Sequence, residues 1–97
     1  MNFVYQTQGI EFEWDINKSE SNFVKHGVRF EEAVEVFFDP FYQEGDASAN
    51  NEERDFILGY SLSQRLLLVV YVERQTRNRI ISARLATKTE RRLYEQS

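Results

Sequence analysis

Cysteine is missing from all 97 residues, and the chain has one proline, four glycines and one histidine. Without cysteine there is no disulfide framework, no thiolate metal site and no cysteine nucleophile. A lone histidine removes any nitrogen- and sulfur-ligated metal centre that one chain could build. So little proline and glycine argues against a linker or a disordered chain. A membrane span is missing as well: the longest apolar run, Leu66 to Val72, is far shorter than the roughly 20 residues a bilayer needs. The first residues have neither a basic start nor a long apolar stretch, so they do not read as a signal peptide. Nor is there a glycine-rich phosphate loop, a nucleophile-elbow serine, a pair of histidines or a helix-turn-helix pattern. What these absences leave is a single domain over residues 1–97, expected in the cytoplasm, with no membrane partner, no cofactor and no metal.

What is present suffices for one core. Hydrophobic residues make up 41% and aromatics 14%, although a chain this short carries a modest stability margin. Net charge is −4, which speaks against a polyanionic partner until its distribution is considered. Residues 1–72 hold 5 Lys and Arg against 13 Asp and Glu, a balance of −8; residues 73–97 hold 7 against 3, a balance of +4. Local potential, not the total, attracts a polyanion.

Hydrophobic periodicity predicts the elements. Residues 10–14, IEFEW, alternate apolar and acidic side chains as a half-buried strand does. Asp15 stands where a helix N-cap belongs, and the helix runs to His26, with Ile16 and Phe23 on one face. Gly27 suits the left-handed residue that ends a helix. Phe30, Ala33, Val34 and Phe37 form one stripe of a second helix over Phe30 to Phe38, stopped by Asp39-Pro40. Arg29, just before it, supplies no capping side chain. Residues 41–44 read as a short strand and 45–53 as a polar loop. Arg54 to Ser61, Leu66 to Arg74 and Arg79 to Arg84 follow as strands of an antiparallel meander, the middle one apolar enough to be buried on both faces. Thr87 and Glu90 form a capping box for a last helix. Residues 1–9 carry no readable pattern and are expected to be a flexible extension. The fold class is α+β, with two N-terminal helices packed on the sheet and a C-terminal helix.

Chemistry has to come from few side chains. His26 is the one residue that ordinarily titrates near neutral pH; it equally suits the negative end of its helix. Glu31 and Glu35 share a helix face, but a solvated acidic face is a commoner use of such residues than a hard-metal site. Arginines are more suggestive, because a fixed guanidinium can bind a phosphate through two hydrogen bonds. Strict alternation in RIISAR puts Ile80, Ser82 and Arg84 on one side and Arg79, Ile81 and Ala83 on the other. Arg54 and Arg65 begin neighbouring strands and are expected to reach the same surface as Arg84. The opposing reading is that these arginines pair with carboxylates such as Asp15, Glu53 or Asp55. By pattern, Phe56, Tyr60 and Tyr71 read as core, and Trp14 as a core or interface anchor.

Taken in order, FEWD (Phe12 to Asp15), Lys18, Asn22, KHGV (Lys25 to Val28), FEEA (Phe30 to Ala33) and Asp39-Pro40 resemble the first half of the BrnT toxin family. Glu53-Arg54, Gly59, Arg65, VVY (Val69 to Tyr71), RIISAR, Ala86-Thr87, Glu90 and Tyr94-Glu95 resemble its second half. The resemblance implies a RelE-like fold and a metal-independent endoribonuclease that cleaves RNA by 2′-hydroxyl attack. It also implies a BrnA-type antitoxin, two toxins with two antitoxins, and DNA contact only through the antitoxin. Carried over onto this sequence, it implies catalytic roles for His26, Arg65, Arg79 and Arg84, and RNA phosphate contacts at Lys25 and Arg54. The alternative is a partner-binding module without catalysis, docking an antitoxin-like protein. The nuclease reading requires the arginines to converge on one phosphate-sized pocket.

Overall fold

The computed structural model describes residues 1–96. Along the chain run β1 (Asn2–Thr7), β2 (Ile10–Asp15), α1 (Ile16–His26) and α2 (Phe30–Glu35), then a 3₁₀ turn at Val36–Phe38. β3 (Gln43–Asp46), β4 (Asp55–Tyr60), β5 (Leu66–Arg74), β6 (Arg77–Leu85) and α3 (Lys88–Glu95) follow. The strands form one sheet in the order β1-β2-β6-β5-β4-β3. The β4-β5-β6 meander is antiparallel throughout, and the class is α+β. One pairing has no local sequence signal: β2 lies parallel to β6, Phe12 opposite Asn78.

Residues 1–9 are not an extension. Asn2–Thr7 pair with Ile10–Asp15 along six residues, and Gln8 and Gly9 both take left-handed φ values of 51° and 81°. Two such residues are what a tight hairpin turn of matching twist requires. Phe3 and Tyr5 then lie against Trp14, with ring centroids 5.3 and 5.6 Å away.

α1 starts as its sequence directs. The Asp15 carboxylate accepts from the amides of Asn17 and Lys18, and Gly27 closes the helix at φ 70°. Arg29 makes no capping bond for α2; its guanidinium lies over the Phe23 ring, 4.0 Å from the centroid. Phe23 is therefore no core residue but 40% exposed. The second helix also narrows after Glu35 into the 3₁₀ turn.

One face of the sheet and α2 enclose the core: Phe12, Trp14, Val28, Phe30, Val34, Ile57, Val69, Tyr71 and Ile80, all buried. Burying each large apolar side chain contributes about 1.5–3 kcal/mol. Phe12, Phe37 and Tyr71 stack edge to face in a chain, at 5.0 and 4.9 Å. Phe56, Leu58 and Tyr60 point to the opposite face, where Leu58 and Leu66 are buried outside that cluster and α3 crosses with Tyr94 against Tyr60.

A bulge corrects the alternation expected in RIISAR. Tyr71 pairs with Ile80 while Val70 pairs with Ser82, so Ile81 is the extra residue on β6. An extra residue reverses which way later side chains point. Ile80 and Ala83 consequently share the core face, and Arg79, Ser82 and Arg84 share the other.

Candidate functional site

Residues 18, 21, 22, 25 and 26 fall at i, i+3, i+4, i+7 and i+8, one stripe of a helix. Asn22 turns that stripe toward the sheet. Its side-chain amide donates to the carbonyls of Val28 (3.0 Å) and Ala83 (2.8 Å), and its oxygen accepts from the Ala83 amide (3.1 Å). Flanking Asn22, Lys18, Ser21, Lys25 and His26 line a cavity of about 220 Å³ whose other wall is Ile81 and Ser82. No carboxylate lines it, whereas the hollows beside Glu31 and Glu35, beside Glu13, beside Glu52 and beside Glu95 each contain at least one. A cation-lined cavity in a protein of net charge −4 is a place for an anion.

Of the six residues expected at a site, His26 and Lys25 share this cavity. Arg54 lines the next hollow, which meets the first at Ser82. The four arginines do not converge on one pocket. Arg54 pairs with Glu52. Arg65 lies on the helix side of the sheet, its Nε and Nη2 on Glu32 at 2.9 and 2.5 Å and Nη2 on the Gly27 carbonyl at 2.9 Å. Arg79 donates to Glu13 (2.6 Å) and Asn2 (3.1 Å). Arg84 is bidentate on Glu90, at 2.8 and 2.9 Å. Each of these four arginines thus has a carboxylate partner, though none is Asp15, Glu53 or Asp55. The cause lies in the sheet: its parallel pairing sets Glu13 opposite Arg79, and the turn before α3 brings Glu90 back to Arg84.

These pairs shift the carboxylates. Hydrogen bonds from Arg65 hold the Glu32 carboxyl below the usual range against the upward push of burial, and the Ser61 hydroxyl adds to them. Arg84 does the same for Glu90, again against burial, with help from the Thr87 amide. Among the described residues, no three histidine, aspartate or glutamate side chains gather as metal ligands.

Chemically, the cavity combines two ammonium groups, a hydroxyl on either wall and an imidazole. It sits at the C-terminal end of α1, where helix carbonyls would repel an anion. Arg65 offsets that end by donating to the Gly27 carbonyl, next to His26. Lys18, Ser21 and Ser82 belong to the site beyond the six; the helical spacing of Lys18, Lys25 and His26 was the available signal for the first.

The chain matches the family described as "Ribonuclease toxin, BrnT, of type II toxin-antitoxin system" over residues 14–90. No curated protein matches it. Among solved structures, it is similar to the Brucella abortus ribonuclease toxin BrnT, with TM-score 0.64 and 22% identity, covering 77% of this chain and 94% of that one. At that identity the likeness speaks for the fold; the match through residues 14–90, most of the chain, is what decides the family. The chain belongs to the BrnT family of ribonuclease toxins of type II toxin–antitoxin systems.

Proposed function

We propose that the protein is a metal-independent endoribonuclease of RelE-like fold whose working site is the cavity between α1 and β6. The arginines do not meet the convergence that the nuclease reading asked of them; what carries the reading in their place is the grouping of Lys18, Lys25 and His26 around Ser82 with no carboxylate among them. Lysine ammonium groups bind one RNA phosphate and stabilise the charge that builds on it during reaction. The 2′-oxygen attacks the adjacent phosphorus as its proton leaves, and the bond from phosphorus to the 5′-oxygen breaks as that oxygen takes a proton. His26 serves one of these two proton transfers. The products are a 2′,3′-cyclic phosphate and a free 5′-hydroxyl. Arg54 and Arg84 contact flanking phosphates. Arg65 acts as a positioning residue, through Gly27, on the helix end that carries His26. Arg79 completes the basic surface beside Asn2. The antitoxin partner that the family implies is proposed to be of the BrnA type, in a complex of two toxins and two antitoxins that meets DNA only through the antitoxin.

Antitoxin-free protein is expected to cleave single-stranded RNA in EDTA and to leave cyclic phosphate ends. His26→Ala should slow cleavage about 10²- to 10⁴-fold, the usual contribution of a positioned acid or base. RNA cut at the wild-type rate by that variant removes His26 from the chemistry. A second reading, a docking module without catalysis, is favoured by the carboxylate partners of Arg54, Arg65, Arg79 and Arg84. Folded protein that captures its antitoxin yet leaves RNA intact would decide for it.

A further inference from the structure

α3 rests on the sheet without burying any residue, and Leu93 is 48% exposed. Polar contacts hold it. Glu90 grips Arg84 with both oxygens, Arg91 donates to the Tyr60 hydroxyl at 3.1 Å, and Tyr94 donates to Asp39 at 2.7 Å. A partly exposed ion pair adds little net stability, so another anion can take its place at little cost. Arg84 follows Ser82 by two residues on the same face of β6, and Ser82 lines the cavity of Lys25 and His26. Two residues along a strand span roughly 7 Å. The two Glu90 oxygens occupy the positions on the guanidinium fork that two phosphate oxygens would take.

We propose that Arg84 is a second RNA-phosphate subsite, and that Glu90 is its internal stand-in, displaced when RNA binds. The proposal rests on the reading of the α1–β6 cavity as an RNA site. Arg79 is no equal candidate, because its partner Glu13 is buried and would be left with only Arg77, at 3.8 Å, to balance its charge. Glu90 is different. It stands in the first turn of an exposed helix, and its Oε1 also accepts from the Thr87 amide at 2.9 Å. Losing Arg84 leaves the helix cap intact. α3 thus acts as a strap whose carboxylate must yield before a strand of RNA can extend beyond the cavity along β6.

The test is fluorescence anisotropy with a 2′-O-methylated single-stranded RNA, which binds but lacks the attacking hydroxyl. Glu90→Gln keeps the capping box while withdrawing the competing charge. Its affinity should rise several-fold at little change in log–log salt slope, since Arg84 meets the same phosphate once Glu90 yields, whereas R84A should flatten the slope by about 0.7, the increment for one neutralised phosphate on a single strand. The gain in affinity should vanish in E90Q/R84A. R84A alone should weaken binding, and Glu95→Gln, which removes the same charge elsewhere on α3, should change nothing. Equal affinity for E90Q and the parent, with Lys25→Ala still weakening binding, overturns the subsite and leaves the cavity reading standing. A gain in E95Q as large as that in E90Q also overturns it. If neither the parent nor any variant binds, the RNA reading falls and the subsite falls with it.

Discussion

Asn22 joins fold and site through one side chain. β2 stops pairing with β6 after Glu13 and Arg79, so the backbone of Ala83 faces no strand on that edge. Asn22 supplies the missing donor and acceptor from α1, as a neighbouring strand would. In Asn22→Ala, the buried amide of Ala83 and the carbonyls of Ala83 and Val28 lose their partner. The expected loss is about 3 kcal/mol, read as a lower urea midpoint at unchanged slope; a loss near zero would mean water takes over these bonds. Asp39 is a second such residue. Its carboxylate accepts from the amides of Tyr60 and Phe41 and from the Tyr94 hydroxyl. Burial pushes its pKa up, but those three bonds outweigh it and leave it below the ordinary value. Tyr94, half-buried against the same carboxylate, is pushed up to about 12. Gly59 makes room for the arrangement, since a Cβ there would meet Asp39 Oδ2 at 3.0 Å and Val36 at 3.1 Å. Gly59→Ala should destabilise by about 1–3 kcal/mol, the usual cost of overpacking, in the same unfolding measurement.

Among the elements, β1 lies outside the family match and adds an edge to the sheet. Its Phe3 and Tyr5 shield Trp14, the one tryptophan. Removing residues 1–9 should shift Trp14 fluorescence to the red and lower stability by about 3 kcal/mol, from the apolar area re-exposed. An unchanged emission maximum would show that Trp14 does not depend on the hairpin. The α1–α2 corner and the seat of α3 also carry carboxylates that folding favours in their charged form. Glu32 and Glu90 lie below their ordinary value of 4.5 when folded, and Asp39 below 3.8. A carboxylate lowered by folding binds fewer protons folded than unfolded in acid. Its stabilisation is complete above those ordinary values and drains away as pH falls through the folded ones. Urea midpoints should therefore hold steady from about pH 7 to 5 and fall below about 4.5, and Glu32→Gln should flatten that fall. A midpoint insensitive to acid would contradict the role given to these pairs.

For the whole molecule, the charge asymmetry is resolved in an unexpected direction. The basic balance of residues 73–97 is partly taken up internally, Arg77 and Arg79 by Glu11 and Glu13, while Arg84 is held by Glu90. The cavity draws its cations instead from α1, in the acidic part of the chain. An antitoxin that covers this region is proposed to bring acidic and apolar groups, so its association rate should fall with added salt. Stopped-flow rates that ignore ionic strength would speak against that complementarity.

Local physics settled much of this protein from sequence alone. The cap at Asp15, the turn at Gly27, the capping box of Thr87 and Glu90 and the meander each follow from residues close together in the chain. His26 and Lys25 were legible for the same reason: a helix fixes its own faces. Three outcomes depended on distant partners. The β1–β2 hairpin had no readable pattern in residues 1–9, and Trp14 and the sheet edge give its strand a place. The bulge at Ile81 exists only in the register between β5 and β6, and it alone decides that Arg79 and Arg84 share a face. Arg54 and Arg84 took partners two and six residues away, but those of Arg65 and Arg79 lie 33 and 66 residues away, where Coulomb attraction at close range chose carboxylates that no spacing rule could nominate.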